Sequence, residues 1–197
     1  MLAQATFLKQ EQRRNPGELG VWVFVLADMF VFTMLFCLFL HYRNEDVFSF
    51  NESMKKLNLH YGMINTVILL FSSWFAANAA MAMHKSSLRA CKRFMLLTML
   101  CGLSFLVLKG FEYSEKLSYG ITPYSNEFFM FYYVLTGIHL LHVIIGIFVV
   151  GFAWIRLKVV GGEGIGSVGI ENAVTYWHMV DLLWIILFPL LYLLPLS

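Results

Sequence analysis

The sequence predicts an all-α polytopic membrane protein, five transmembrane helices in one bundle with a cytoplasmic N-terminus and a periplasmic C-terminus. Three observations carry this expectation. Hydrophobic residues fill 59% of the 197 positions and charged ones 13%, about half the charge of a typical soluble domain. Several apolar runs reach the roughly 20 residues that a membrane helix needs. Basic residues are divided unevenly between alternate connections.

The elements follow in order. Residues 1–18 form a polar tail with Lys9, Arg13 and Arg14, expected to be cytoplasmic. It lacks an early apolar core ahead of a small-residue cleavage site, so a removable signal peptide is not expected. Residues 19–197 then form one membrane domain, with Pro16 and Gly17 punctuating its entry. Its spans are predicted at about 19–41, 61–83, 94–117, 127–155 and 172–196. Tyr42 to His60 reads as a polar loop and His84 to Arg93 as a tight basic turn. Thr122-Pro123 and Ser125-Asn126 read as a loop ending in a helix cap. Gly161 to Gly169 reads as a glycine-rich connector.

Charge sets the expected orientation. The tail and the second and fourth connections hold Lys9, Arg13, Arg14, Lys85, Arg89, Lys92, Arg93, Arg156 and Lys158. The opposite side has Arg43, Lys55, Lys56 and Lys116, with Lys109 near a span end. The richer side is assigned to the cytoplasm. A net charge of +2 is too small to point to nucleic acid, and Cys37, Cys91 and Cys101 show no metal-type spacing.

The chemistry-bearing residues are those that hydrocarbon tolerates least. Asp28, Glu112, His139, His142, His178 and Asp181 lie in or at the edge of apolar segments, where each needs a partner, a wet cavity or a function. The i,i+3 spacing puts His139 with His142 on one helix face and His178 with Asp181 on another. At 1.5 Å per residue, Asp28 and Asp181 fall roughly 13 Å from the cytoplasmic edge and His142 roughly 20 Å. Three readings stay open: hydrogen bonds that lock helices together, proton handling by Asp28 or Glu112, and metal or haem ligation. A haem would need histidines from facing helices, such as His139 or His142 with His178, because two residues one turn apart cannot reach both faces of one ring. Snorkelling to the interface is favoured for Lys109 over a pair with Glu112. Asn65, Ser72, Ala76 and Ala80 form a stripe suited to close contact between helices of this chain. His41, His60 and His84 sit at span ends or in loops, where solvation is expected. Arg156 and Lys158 suit either lipid phosphates or topology anchoring.

Taken together, the motifs resemble subunit III of the haem-copper oxidase family along almost the whole chain after the tail. Gly20 to Asp28 resembles the family segment that runs from a glycine to a buried carboxylate. Asn65-Thr66, Leu69-Leu70 and Ser72-Ser73 resemble the next helix, and Phe111-Glu112-Tyr113 the family's Glu-Tyr pair. Thr136 to Gly146, with His139 and His142, is the most specific stretch, followed by Tyr176 to Trp184, with His178 and Asp181. Asp28 stands where long family members usually carry glutamate. The two extra N-terminal helices of those members are missing here, so the chain is similar to the five-helix bacterial form. Pro16 to Trp22 and Asp28 to Phe32 look most like the E-type accessory branch of nitric oxide reductase.

The resemblance implies a non-catalytic subunit with no cofactor of its own, neither metal nor haem. Its partner would be a haem-bearing catalytic subunit that holds the haem and copper, in a bacterial inner membrane. It implies structural phospholipids, support of assembly, and sustained proton uptake and turnover by the partner. Glu112, His139, His142, His178 and Asp181 would form an internal polar network, and Asp28 would be the acid tied to proton movement. The rival readings are a membrane b-type cytochrome that oxidises quinol directly and a small proton-conducting protein.

Overall fold

A computed structural model of the chain describes residues 19–159 and 162–194, with 162–167 taken as backbone alone. The tail 1–18, with Pro16 and Gly17, Gly161 and the last residues of the fifth predicted span lie outside the described residues. The helices are α1 (Leu19–Glu45), α2 (Val47–Met54), α3 (Leu59–His84), α4 (Leu88–Ser118), α5 (Glu127–Val159) and α6 (Gly162–Phe188). A π-helical turn, Pro189–Leu193, closes the sixth. Five of these helices are long and apolar enough to cross a membrane, so the chain is a multi-pass membrane protein.

The outer faces of such helices are as apolar as lipid, so the inner faces are marked by small and polar residues instead. In α4 the buried stripe is Cys91, Met95, Thr98, Gly102, Phe105, Lys109, Glu112 and Lys116, at steps of three and four. In α3 it is Gly62, Asn65, Leu69, Ser72, Ala76, Ala79 and Ala82, which lets α3 and α4 pack closely as an antiparallel pair. The predicted small-residue stripe is therefore an intramolecular seam. α6 lies at the centre, against α3, α5 and α1, and half of its most apolar window is buried. α1 flanks the bundle and buries only Val25, Phe32 and Phe39, spaced seven residues apart.

Local chemistry sets the helix ends. Asn126 Oδ1 accepts from Phe129 N at 2.9 Å, the predicted cap of α5. The expected ten-residue basic turn is shorter: α4 begins at Leu88, so Arg89, Lys92 and Arg93 are helical. Ser86 sits at φ 56°, with Ser87 N bonded to Ala82 O and Ser86 N to Met83 O at 2.9 Å each. That is a Schellman closure with serine where glycine is usual. Gly120, at φ 73°, closes α4 in the same way.

Two other loop expectations are corrected. The polar segment after Tyr42 holds α2, capped by Asp46 Oδ1 on Ser49 N, and its Phe50 packs with Phe39 and Phe128. On its exposed side, the Lys55 ammonium 2.7 Å from Glu52 holds the Glu52 carboxyl below its ordinary range. The glycine-rich connector is helical backbone from Gly162, because α6 extends back from its packed part. At the other end Pro189 has no N–H to give and crowds the preceding turn, so the ladder widens into the π turn that carries Tyr192.

Candidate functional site

The inner stripe of α4 delivers Lys109 and Glu112 to a closed centre. Lys109 Nζ donates to Glu112 Oε2 at 2.9 Å and to the Tyr192 hydroxyl at 2.8 Å. The Tyr132 and Tyr192 hydroxyls both donate to Glu112 Oε1, at 2.8 and 2.5 Å. The rings of Trp184, Tyr132 and Tyr192 stand 4.8 to 5.3 Å from the ammonium. Both ions are fully buried. Lys109 therefore does not snorkel: its stem lies on the stripe facing α6, and its anion is one turn away on the same helix. Desolvating two ions costs several kcal/mol each, which only such charge-assisted hydrogen bonds and good geometry offset. Beside the centre, the Tyr113 hydroxyl meets Thr136 Oγ1. Farther along α4, Lys116 Nζ donates to Lys56 O at 2.5 Å and ties the helix to the end of α2.

A second centre joins α1 to α5. His142 Nε2 lies 3.4 Å from Asp28 Oδ2, an electrostatic contact in which that oxygen gains no aligned hydrogen bond. His142 Nδ1 is 2.8 Å from Ile138 O, so Nδ1 carries a proton and donates it. With Nδ1 so engaged, Nε2 is the ring nitrogen that faces the Asp28 carboxyl. Phe32 packs edge-on against the imidazole at 5.4 Å, and both polar side chains stay partly exposed.

A third group joins α6 to α3 and α4. Ser73 Oγ and His178 Nδ1 are 2.7 Å apart. Trp177 Nε1 donates to Ser72 Oγ at 2.9 Å, and Ser72 Oγ donates to Thr98 O at 3.3 Å. Trp184 Nε1 donates to Thr66 Oγ1 at 3.0 Å. Reading the sequence alone missed these tryptophan links. Their signal was there: two tryptophans seven apart on α6, and hydroxyls six apart on the small-residue helix.

The expected single network is thus divided. Glu112 belongs to the lysine–tyrosine centre, His142 to Asp28, and His178 to Ser73. His139 and Asp181 are buried; neither ring nitrogen of His139 makes a hydrogen bond, and the polar neighbour of the Asp181 carboxyl is Ser73, whose hydroxyl already meets His178. His139 packs between Phe105, at 5.6 Å, and Trp184, at 5.2 Å. His142 and His178 face different helices, α1 and α3. Among the described residues no group of three or more His, Cys, Asp or Glu could hold a metal ion.

At the end of α5, Arg156 lies 5.5 Å over Phe152 and Lys158 lies 5.3 Å over Trp154, each folded back on its own helix. His84, also expected to be solvated, is exposed and 3.3 Å from Glu171 of α6, so it links two helix ends. An apolar groove of about 590 Å³ runs between α1, α5 and α6 past Phe24, Phe148 and Tyr176.

Comparison with known proteins bears on this arrangement directly. The profile of the family described as "Cytochrome c oxidase subunit III" matches residues 5–195. Cytochrome c oxidase subunit 3 of Thermostichus vulcanus is 34% identical over 177 residues, 89% of this chain and 86% of that protein. Cytochrome bo(3) ubiquinol oxidase subunit 3 of Buchnera aphidicola subsp. Schizaphis graminum is 28% identical over 185 residues, 93% and 97% of the two chains. The probable quinol oxidase subunit 3 of Staphylococcus epidermidis is 26% identical over 185 residues, 92% of each. With matched residues running through all five spans, and with the buried residues that carried the resemblance packed inside them, the chain belongs to the cytochrome c oxidase subunit III family.

Proposed function

We propose that the chain is a subunit without redox centres in a respiratory haem-copper oxidase complex of a bacterial inner membrane. The carrying observation is the family match over residues 5–195, made by a bundle that closes its lysine–tyrosine centre and its Trp177 link with its own helices. Its partner is the haem-bearing catalytic subunit, which holds the haem and copper. The N-terminus, with the tail 1–18, lies in the cytoplasm and the C-terminus in the periplasm, following the basic residues. Relatives are named as both cytochrome c and quinol oxidase subunits. The finer tie to the nitric oxide reductase accessory branch rests on Pro16 to Trp22 and Asp28 to Phe32.

The subunit supports assembly, binds structural phospholipids and sustains proton uptake by its partner. Arg156 and Lys158 in the last turn of α5 suit lipid phosphates. Asp28 is the acid tied to proton movement, a reading supported by its place inside a span as a partly exposed carboxyl beside His142.

Gentle purification with an optical spectrum and identification of co-purifying chains tests this reading. A colourless chain travelling with a haem-bearing subunit is expected. A haem band from the lone chain would instead make it a b-type cytochrome. Proton conduction by the lone chain in liposomes would make it a conductor.

A further inference from the structure

α6 has one open strip. Among the described residues its strongly exposed large side chains are Leu182, Ile185 and Ile186, 39 to 45% exposed. His178, Leu182 and Ile185 follow one another at i, i+4 and i+7, so they share a face of the helix. The strip borders α3, whose Ser73 holds His178 Nδ1 and whose Leu70 and Trp74 are exposed.

The other ring nitrogen of His178 is what separates this strip from ordinary lipid-facing surface. Among the described residues Nε2 has no hydrogen-bond partner, and it is not fully buried, so it reaches the surface of the bundle. His178 lies ten residues into the span Val168–Leu193, roughly 15 Å along it and so near the middle of a hydrocarbon layer about 30 Å thick. Acyl chains offer nothing to an imidazole N–H or lone pair, and phospholipid headgroups stay at the interface. An unmet polar atom at that depth is costly unless protein covers it.

We propose that the α3–α6 face around His178 is the docking surface for one transmembrane helix of the haem-bearing subunit. This rests on the functional reading above and adds the surface to it. The incoming helix lays apolar side chains along Leu182 and Ile185 and presents a hydrogen-bonding group, a hydroxyl, amide, carboxyl or freed carbonyl, to His178 Nε2. Ser73 fixes the ring so that Nε2 points outward, whichever tautomer is present.

The test uses the whole complex from native membranes. A photoreactive benzoylphenylalanine replaces Leu182 or Ile185, both already exposed, with Val107 on the outer face of α4 as the control position. Strong crosslinking to the haem-bearing chain is expected from Leu182 and Ile185, and little from Val107. In parallel, His178→Phe should weaken retention of the haem-bearing chain roughly threefold to thirtyfold, the range for one interhelical hydrogen bond in a membrane. A wild-type chain that brings down no haem-bearing partner overturns the functional reading and this surface with it. A retained partner that crosslinks only from Val107, crosslinks to a second copy of this chain instead, or tolerates His178→Phe unchanged overturns the surface alone.

Discussion

Lys109 and Glu112 form an ion pair of 2.9 Å with both side chains fully buried, one turn apart on α4. Removing one ion strands the other in a medium that cannot solvate it. Lys109→Met is therefore expected to cost about 3–5 kcal/mol, whereas the double variant Lys109→Met, Glu112→Gln recovers most of that loss. Gln keeps an oxygen for the two tyrosine hydroxyls. Unfolding of the detergent-solubilised subunit measures both. Equal stability of the single and double variants would mean that the pair is not coupled as the geometry indicates.

Tyr192 binds that pair from the end of the chain: its hydroxyl accepts from Lys109 and donates to Glu112. Tyr192→Phe removes one hydrogen bond from each ion and is expected to cost about 1.5–3 kcal/mol. Faster amide exchange in the Pro189–Leu193 turn should accompany the loss. Unchanged exchange there would show that Leu191, also buried, holds the turn without the hydroxyl.

The five spans were legible because lipid imposes a long apolar run that no other environment requires. Their ends were not: α4 starts at Leu88 rather than 94, and α6 at Gly162 rather than 172. Charged residues and glycines lower local helix preference, but adding a residue to an existing helix gains a bond without a new nucleus. The eight residues of α2 were too short and too polar to register as a helix. Burial was legible only in part: Glu112, His139 and Asp181 are buried, whereas Asp28, His142 and His178 are partly exposed and Lys109 is buried against expectation. Who meets whom was not legible. The spacing of Lys109 and Glu112 was visible, but the rings that enclose the ammonium come from α5, α6 and the terminal turn. Only the packed bundle excludes snorkelling.

Trp177 is held between two helices that approach it through glycine. A Cβ on Gly102 would stand 2.6 Å from its ring, and one on Gly146 would stand 2.9 Å from it. The ring is buried and hydrogen-bonded to Ser72, so it has nowhere to move. Gly102→Ala and Gly146→Ala are each expected to destabilise the subunit by about 1–3 kcal/mol. Gly137→Ala meets nothing within 4 Å and should be neutral or stabilising by up to about 1 kcal/mol. Melting temperatures in one detergent compare the three directly. An equal effect at all three positions would place the cost in the helix backbone instead of at the indole.

His139 offers the opposite experiment, a substitution expected to stabilise. Its ring is fully buried, neither nitrogen has a hydrogen bond, and its contacts are the rings of Phe105 and Trp184. An unpaired buried polar group costs about 1–3 kcal/mol, and phenylalanine keeps the ring without that cost. His139→Phe should therefore raise the stability of the isolated subunit by about 1 kcal/mol, after some loss to its slightly larger ring. Function decides why the histidine is there. If the variant is more stable and the assembled oxidase turns over normally, His139 is only a tolerated ring in the aromatic core. If it is more stable but the complex loses sustained turnover, the imidazole serves the assembled enzyme at the expense of the subunit's own stability. A less stable His139→Phe would show that the nitrogens are satisfied in the membrane, and the core around Phe105 and Trp184 would have to be wetter than its packing implies.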